Sequence, residues 1–253
     1  NTNYLAGINR ESYAAPAFGL GKLSQDTYAF RGRLAYELSD AATLTYTGGY
    51  RHFEGEPGQV TTLPVNFRNF TWDQRFDTQS HELRLNGEAG GIVYQVGGFY
   101  FKEKINAEST FVTTGGPNVI QLTYFKHTVN TESWSGFGQA EVPLGDKLTF
   151  VGGLRYTDNS RSSLPYGSAS PFGAGPPDPQ LFNGPITQKN FSTLLYRTVP
   201  NLQVSENKVT WLAGLNFKPD PDTLIYAKAS TGFKGGGFDA KGDYKPETNT
   251  ALE

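Results

Sequence analysis

Tyr28 to Arg51 reads YAFRGRLAYELSDAATLTYTGGYR. Two strands and a tight turn are written in it. The even positions of the first half are Tyr28, Phe30, Gly32, Leu34, Tyr36 and Leu38, against Ala29, Arg31, Arg33, Ala35 and Glu37. After Ser39 and Asp40 the alternation resumes, with Leu44, Tyr46, Gly48 and Tyr50 against Thr43, Thr45, Thr47, Gly49 and Arg51. A side-chain period of two means an extended chain with one apolar and one polar face. A short link between two such runs means an antiparallel hairpin.

The same writing recurs. Leu148, Phe150, Gly152, Leu154 and Tyr156 oppose Thr149, Val151, Gly153, Arg155 and Thr157; Val209, Trp211, Ala213, Leu215 and Phe217 oppose Thr210, Leu212, Gly214 and Asn216. Weaker strands are expected over 76–86, 92–105, 133–142 and 223–231, giving eight in all. Short links join 38 to 43, 86 to 92, 142 to 147 and 218 to 223. Long segments, 54–75, 105–130 and 158–207, separate the hairpins and are expected to be loops. The segments from Glu37, Glu141 and Asn216 share a degenerate pattern of strand end, Asp-containing turn and Leu-x-aromatic or Leu-x-aliphatic strand start. Asp suits that turn because its carboxylate can accept from its own backbone.

Composition points the same way. The 253 residues include 30 glycines and 14 % aromatics, with 18 % charged residues and a mean hydropathy of -0.47. Their polarity therefore rests largely on Thr, Ser, Asn and Gln, which suits two-faced strands better than helices. Cysteine is absent, which excludes disulfides, thiolate zinc sites and thiol nucleophiles. The net charge of -2 and the lack of any basic run exclude a nucleic-acid footprint. No run of 18 apolar residues forms a spanning helix. His52, His81 and His127 stand isolated, without the spacing of a metal site, and no Gly-x-Ser-x-Gly elbow is present. No catalytic constellation and no cofactor are expected.

Ten-residue antiparallel strands, with short turns on one side and long connections on the other, describe a transmembrane β-barrel. Lipid offers the backbone no hydrogen bonds, so a sheet in it must close. The apolar faces would then meet lipid, with Tyr28, Tyr36, Tyr50, Tyr156 and Phe217 as interfacial aromatics. Arg31, Arg33, Arg51, Glu82, Arg84 and Arg155 would line a wet lumen. A soluble β-sandwich explains the alternation equally well but not the alternating short and long connections. Asn1 to Gln25 reads as a loop, and YKPETNTALE from Tyr244 opens a further element. The chain is therefore expected to be part of a larger barrel.

Two stretches then carry a resemblance: VGGLRYTDNSR (Val151–Arg161), and LIYAKASTGFKGGGFD (Leu224–Asp239) followed by YKPETNTALE. With SHELRLNGEAGGIVYQVGGFYFKEK (Ser80–Lys104), they resemble the barrel of TonB-dependent outer-membrane receptors. The motif positions are Gly232, Phe233, Lys234, Gly236, Gly237, Phe238, Pro246 and Glu247. The resemblance implies a 22-stranded all-β antiparallel barrel of which this chain supplies about eight or nine strands, with the plug domain outside residues 1–253. It implies uptake of a scarce nutrient, a ferric siderophore above all, driven by TonB acting through the plug. The implied partners are TonB, the lipid bilayer with its lipopolysaccharide, and an extracellular ligand. Gly235 to Gly237 are expected to adopt positive φ in a turn at the barrel rim.

Ligand-contact candidates are the aromatics and cations of the long segments: Phe67, Arg68, Phe70, Trp72 and Arg75, with Tyr124, Phe125, Tyr166, Phe172 and Tyr196, and lumenal Arg51 and Arg155. Ring faces suit flat chelates and Arg suits anionic ones. The same aromatics would also serve loop packing or an interfacial girdle. Two rival functions stay open, a passive porin or small structural barrel and a soluble sandwich acting as a binding module.

Overall fold

The structure, a computed structural model, describes residues 23–57, 59–60, 68–114, 119–169, 172–174, 196–198, 202–239 and 242–253. Within them the chain is strand and turn throughout. The strands are β1 (Leu23–Ser39), β2 (Ala42–Pro57), β3 (Gln59–Val60), β4 (Arg68–Ala89), β5 (Ile92–Thr114), β6 (Val119–Pro143) and β7 (Leu148–Ala169). They continue as β8 (Phe172–Ala174), β9 (Tyr196–Thr198), β10 (Leu202–Asp220), β11 (Thr223–Lys234), β12 (Gly237–Asp239), β13 (Gly242–Tyr244) and β14 (Glu247–Leu252). Nine of them form one antiparallel path, β1-β2-β4-β5-β6-β7-β10-β11-β14, with β3, β8 and β9 as short attachments. β12 and β13 make a separate two-stranded hairpin. The ninth strand of the path is the element that YKPETNTALE opens.

The register builds one face from the positions that alternation marks as apolar. Leu34 pairs Tyr46, Tyr46 pairs Leu83, Leu83 pairs Gly98, Gly98 pairs Gly136, Gly136 pairs Tyr156 and Tyr156 pairs Val209. Because facing residues across a ladder point the same way, these apolar side chains share a single surface. It is bare: Leu34 is 72 % exposed, Phe30 69 % and Leu154 63 %. Among the described residues the buried hydrophobics are Ala107 and Val129 alone. A single-layer sheet with no core and an exposed apolar face needs hydrocarbon as its second layer, so this face is the outward, lipid-facing one. The expected aromatics Tyr28, Tyr36, Tyr50, Tyr156 and Phe217 all lie on it, joined by Tyr46, Tyr100 and Trp134.

The short links fall where expected. Asp222 N–H donates to the Asp220 carboxylate at 3.1 Å in the β10–β11 turn. In the β1–β2 turn Ser39, not Asp40, caps, accepting from the Ala41 amide at 3.3 Å. Gly90 and Gly91, both at positive φ (59° and 78°), turn β4 into β5, the two-residue geometry that matches strand twist.

The segments expected to be loops are in large part strand. β5 runs to Thr114 and β6 starts at Val119, so most of 105–130 is a paired ladder from Ile105↔Val129 to Thr114↔Ile120. β2 likewise runs to Pro57, β7 to Ala169, and β10 begins at Leu202. β4 to β7 have 22, 23, 25 and 22 residues, about twice the 9–11 that cross a bilayer. The apolar band sits in the half beside the short turns. On β7 the outward positions change from Phe150, Leu154 and Tyr156 to Asp158, Ser160 and Ser162. The other half stands clear of the hydrocarbon on the side of the long connections.

Candidate functional site

The inward face is the opposite set of positions. Arg31, Arg33, Arg51, Arg84, Arg155 and Arg161 all fall on it by register. Asp26, Asp73, Asp77 and Asp158 all fall on the outward face. Glu37, Glu82, Glu88, Glu103, Glu141, Glu206 and Glu247 share the inward face by register, so it carries both signs.

Arg155 is the best-held of these cations. Its guanidinium lies over the Phe137 ring at 5.4 Å and the Phe99 ring at 5.8 Å, and it donates to the hydroxyls of Ser135 and Thr157. Two ring faces and two hydroxyls fix its plane, and it has no ion pair with any described residue. Arg51 lies 5.7 Å from the centre of the Phe76 ring, which stacks on Phe53 at 4.3 Å. Arg31 and Arg33 are exposed and have no hydrogen bond or ion pair with any described residue. Arg84 sits 3.7 Å from Glu82 on its own strand.

A second cluster lies nearer the long connections. Glu206, on β10, accepts from Asn159 Nδ2 at 3.2 Å and from the backbone amide of Gly236 at 2.8 Å. Arg161 lies 5.5 Å from the Phe238 ring. The β12–β13 hairpin thus folds back against the inner wall of β7 and β10. This corrects the expected role of the glycines. None of Gly235, Gly236 and Gly237 has positive φ. They are glycines for lack of room: a Cβ on Gly235 would stand 2.6 Å from Glu206 Oε1, and one on Gly236 would stand 2.7 Å from the Tyr244 carbonyl oxygen.

The contact also joins the two stretches that carry the resemblance, since Asn159 and Arg161 close VGGLRYTDNSR while Gly236 and Phe238 belong to GFKGGGFD. Of the other motif positions, Lys234 pairs Glu247, Phe233 pairs Thr248 and Gly232 pairs Asn249 in the β11–β14 ladder. Pro246 lies just before β14.

The ligand candidates are scattered. Arg51 and Arg155 share the inner wall. Arg75 falls on the outward face beside Asp77 and pairs Glu54 at 2.7 Å. Arg68, Phe70 and Trp72 lie in β4, Tyr124 and Phe125 in β6, Tyr166 in β7, Phe172 in β8 and Tyr196 in β9; their side chains, and Phe67 altogether, lie outside the described residues. Phe99, Phe137, Asn159, Arg161 and Glu206 were missed. For Asn159, Arg161 and Glu206 the legible signal was parity, since each sits on the polar side of a strand whose apolar side is evident; Phe99 and Phe137 lie in strands with apolar residues on both sides and gave no such signal. Among the described residues no cluster of His, Asp or Glu side chains is arranged to hold a metal ion.

Among solved structures, the fold is similar to the ferric yersiniabactin uptake receptor FyuA from Yersinia pestis, with TM-score 0.64 and 12 % identity over 92 % of this chain and 33 % of that one. It is similar to the siderophore receptor PiuA from Acinetobacter baumannii, with TM-score 0.63 and 16 % identity over 92 % of this chain and 37 % of that one. The ferric-catecholate import receptor Fiu from E. coli K12 gives 0.56 and 13 % over 83 % and 36 %. The chain spans about a third of the length of these structures. No curated protein matches it in sequence. The family described as TonB dependent receptor-like, beta-barrel, matches residues 1–253 throughout. Members of that family are outer-membrane transport receptors and not enzymes, and an outward apolar band over a polar inner face fits such a barrel: the chain belongs to the TonB-dependent receptor β-barrel family.

Proposed function

We propose that this chain is a wall segment of a receptor that takes up a ferric siderophore across the outer membrane, driven by TonB. The carrying observation is that six arginines, Arg31, Arg33, Arg51, Arg84, Arg155 and Arg161, face inward by register. An anionic chelate entering from the long-connection side meets guanidinium groups on the wall, and Arg155, framed by Phe99 and Phe137, offers a fixed planar donor for its oxygens. The plug and its TonB contacts are assigned to parts of the receptor beyond residues 1–253, and Arg68, Phe70, Trp72, Tyr124 and Tyr166 to ligand capture near the long connections. The solved receptors of like fold bear names that pair them with ferric yersiniabactin, siderophore and ferric catecholate, which supports the ligand class.

The test is uptake of ⁵⁵Fe-labelled chelates by iron-starved cells carrying the full-length receptor, with and without TonB. TonB-dependent uptake that falls in Arg51→Ala and Arg155→Ala variants with normal receptor levels supports the reading. Uptake of the same chelates without TonB would sink it in favour of a passive porin.

A further inference from the structure

The lipid-facing surface is not uniform. Gly98 of β5 and Gly136 of β6 face each other in the ladder and leave bare backbone in the middle of the apolar band. Around them stand Leu83 and Tyr156 to the sides and His81, Tyr100 and Trp134 above, enclosing a trough of about 390 Å³. Its upper lip is an aromatic shelf. Tyr46 and His81 are 6.1 Å apart between ring centres, His81 and Tyr100 6.1 Å, and Tyr100 and Trp134 4.2 Å. The shelf is fixed by a hydrogen bond between Tyr46 and His81 at 2.7 Å and one from Tyr100 to Glu132 at 3.2 Å. Tyr and Trp gather where hydrocarbon gives way to headgroups, so the trough opens into the leaflet on the long-connection side, which is the outer one.

Above the shelf, on the same strand and face, come Lys102 and Lys104. Both are exposed and neither has an ion pair or hydrogen bond with any described residue. The carboxylates across the ladder are Glu132 beside Lys102 and Asp77 beside Lys104. Glu132 is engaged by Tyr100, and Asp77 by Tyr50 and His52, each at 2.7 Å. Reading along β5, the order is a bare apolar trough, an aromatic shelf and two free ammonium groups. That is the order of an amphiphile with acyl chain, interface and anionic head, at about 3.4 Å of rise per residue.

We propose that Gly98, Gly136, Tyr100, Trp134, Lys102 and Lys104 form a docking site for one phosphorylated outer-leaflet lipid, with an acyl chain in the trough and a phosphate on the two lysines. A second protein copy would not call for two unpaired cations stacked in line with a one-chain groove. The inference rests on the outer-membrane placement of the barrel and is independent of the ligand it imports.

The experiment is native mass spectrometry of the full-length receptor, delipidated in detergent and titrated with bis-phosphorylated lipid A, beside its dephosphorylated form. One stoichiometric adduct is expected with the phosphorylated lipid. The Lys102→Gln/Lys104→Gln double variant should bind roughly thirty-fold more weakly, the product of two surface lysines. Gly136→Leu should lose the adduct with an unchanged melting temperature, because a Cβ there meets nothing within 4 Å. Retention of the adduct in both variants would overturn the proposal, as would equal binding of dephosphorylated lipid, or a receptor dimer that Gly136→Leu dissociates.

Discussion

The backbone amide of Gly236 donates to Oε1 of Glu206 across 2.8 Å, tying the hairpin after β11 to the inner wall formed by β10. The same oxygen accepts from Asn159, while Glu206 Oε2 and Arg161 Nε are buried without partners. Substitution should be asymmetric. Gly235→Ala meets the movable ends of Glu206 and Asn159, whereas Gly236→Ala meets backbone at Tyr244. Gly236→Ala should cost about 1–3 kcal/mol, as overpacking does, and Gly235→Ala clearly less. Amide exchange at Phe238 and Tyr244 reads the difference, and equal protection in the two variants would contradict the close-approach account.

A charge placed on each side of one strand tests the assignment of faces. Leu154→Arg, in the outward band of β7, should destabilise the barrel folded in bilayers by about 2–4 kcal/mol. Val151→Arg, facing inward, should cost much less. Refolding titrations into lipid vesicles measure both, and equal costs would refute the assignment.

Arg155→Ala removes a cation from between two rings and leaves the hydroxyl of buried Ser135 without its donor. A loss of about 1–2 kcal/mol in stability is expected. Arg155→Lys should recover the charge but not the planar stacking. Chelate affinity of the lysine variant should therefore fall between those of the arginine and alanine proteins, and affinity equal to wild type would show that charge alone matters.

The β4–β5 turn should resist side chains. Gly90→Ala and Gly91→Ala each force an L residue to positive φ, at about 1–2 kcal/mol per position. Thermal unfolding of single and double variants should show near-additive losses, and a neutral Gly91→Ala would mean the turn can change type.

Asp73, on the stretch of β4 that extends past the apolar band, titrates above the usual carboxylate range. Burial raises it first, then repulsion from Glu56, Glu108 and Glu54, against a smaller pull from Arg75. A carboxyl whose folded pKa is raised holds its proton more tightly in the folded state. Folded stability therefore rises as pH falls through that pKa and is lower above it. Asp73→Asn should raise the melting temperature slightly at neutral pH and low salt, with the gain vanishing in acid. A gain that persists in acid would point to a cause other than charge.

What the sequence disclosed and what it hid divide at the edge of the hydrocarbon. Inside the band one face must be apolar, so Phe150, Leu154 and Tyr156 stand out against Thr149, Val151 and Arg155, and the hairpins can be read directly. Beyond it both faces are wet. Thr128, Asn130 and Glu132 on one side of β6 and Thr131 and Ser133 on the other offer no contrast, yet the ladder continues through them. Strand there looks like loop. The glycines of GFKGGGFD were equally ambiguous, because positive φ and lack of space select the same residue. Glu206, remote in sequence, and the Tyr244 carbonyl show which of the two applies.

The ladders that rise past the hydrocarbon bind evolution as well as ligand. Surface loops tolerate inserted residues, but in β5 or β6 one added residue would turn every side chain beyond it from the inside of the wall to the outside. In β5, Lys102 and Lys104 would turn inward and Glu103 outward. New specificities on this part of the wall must therefore arise by substitution at alternate positions, in steps of two, while changes of length are confined to the connections between the strands.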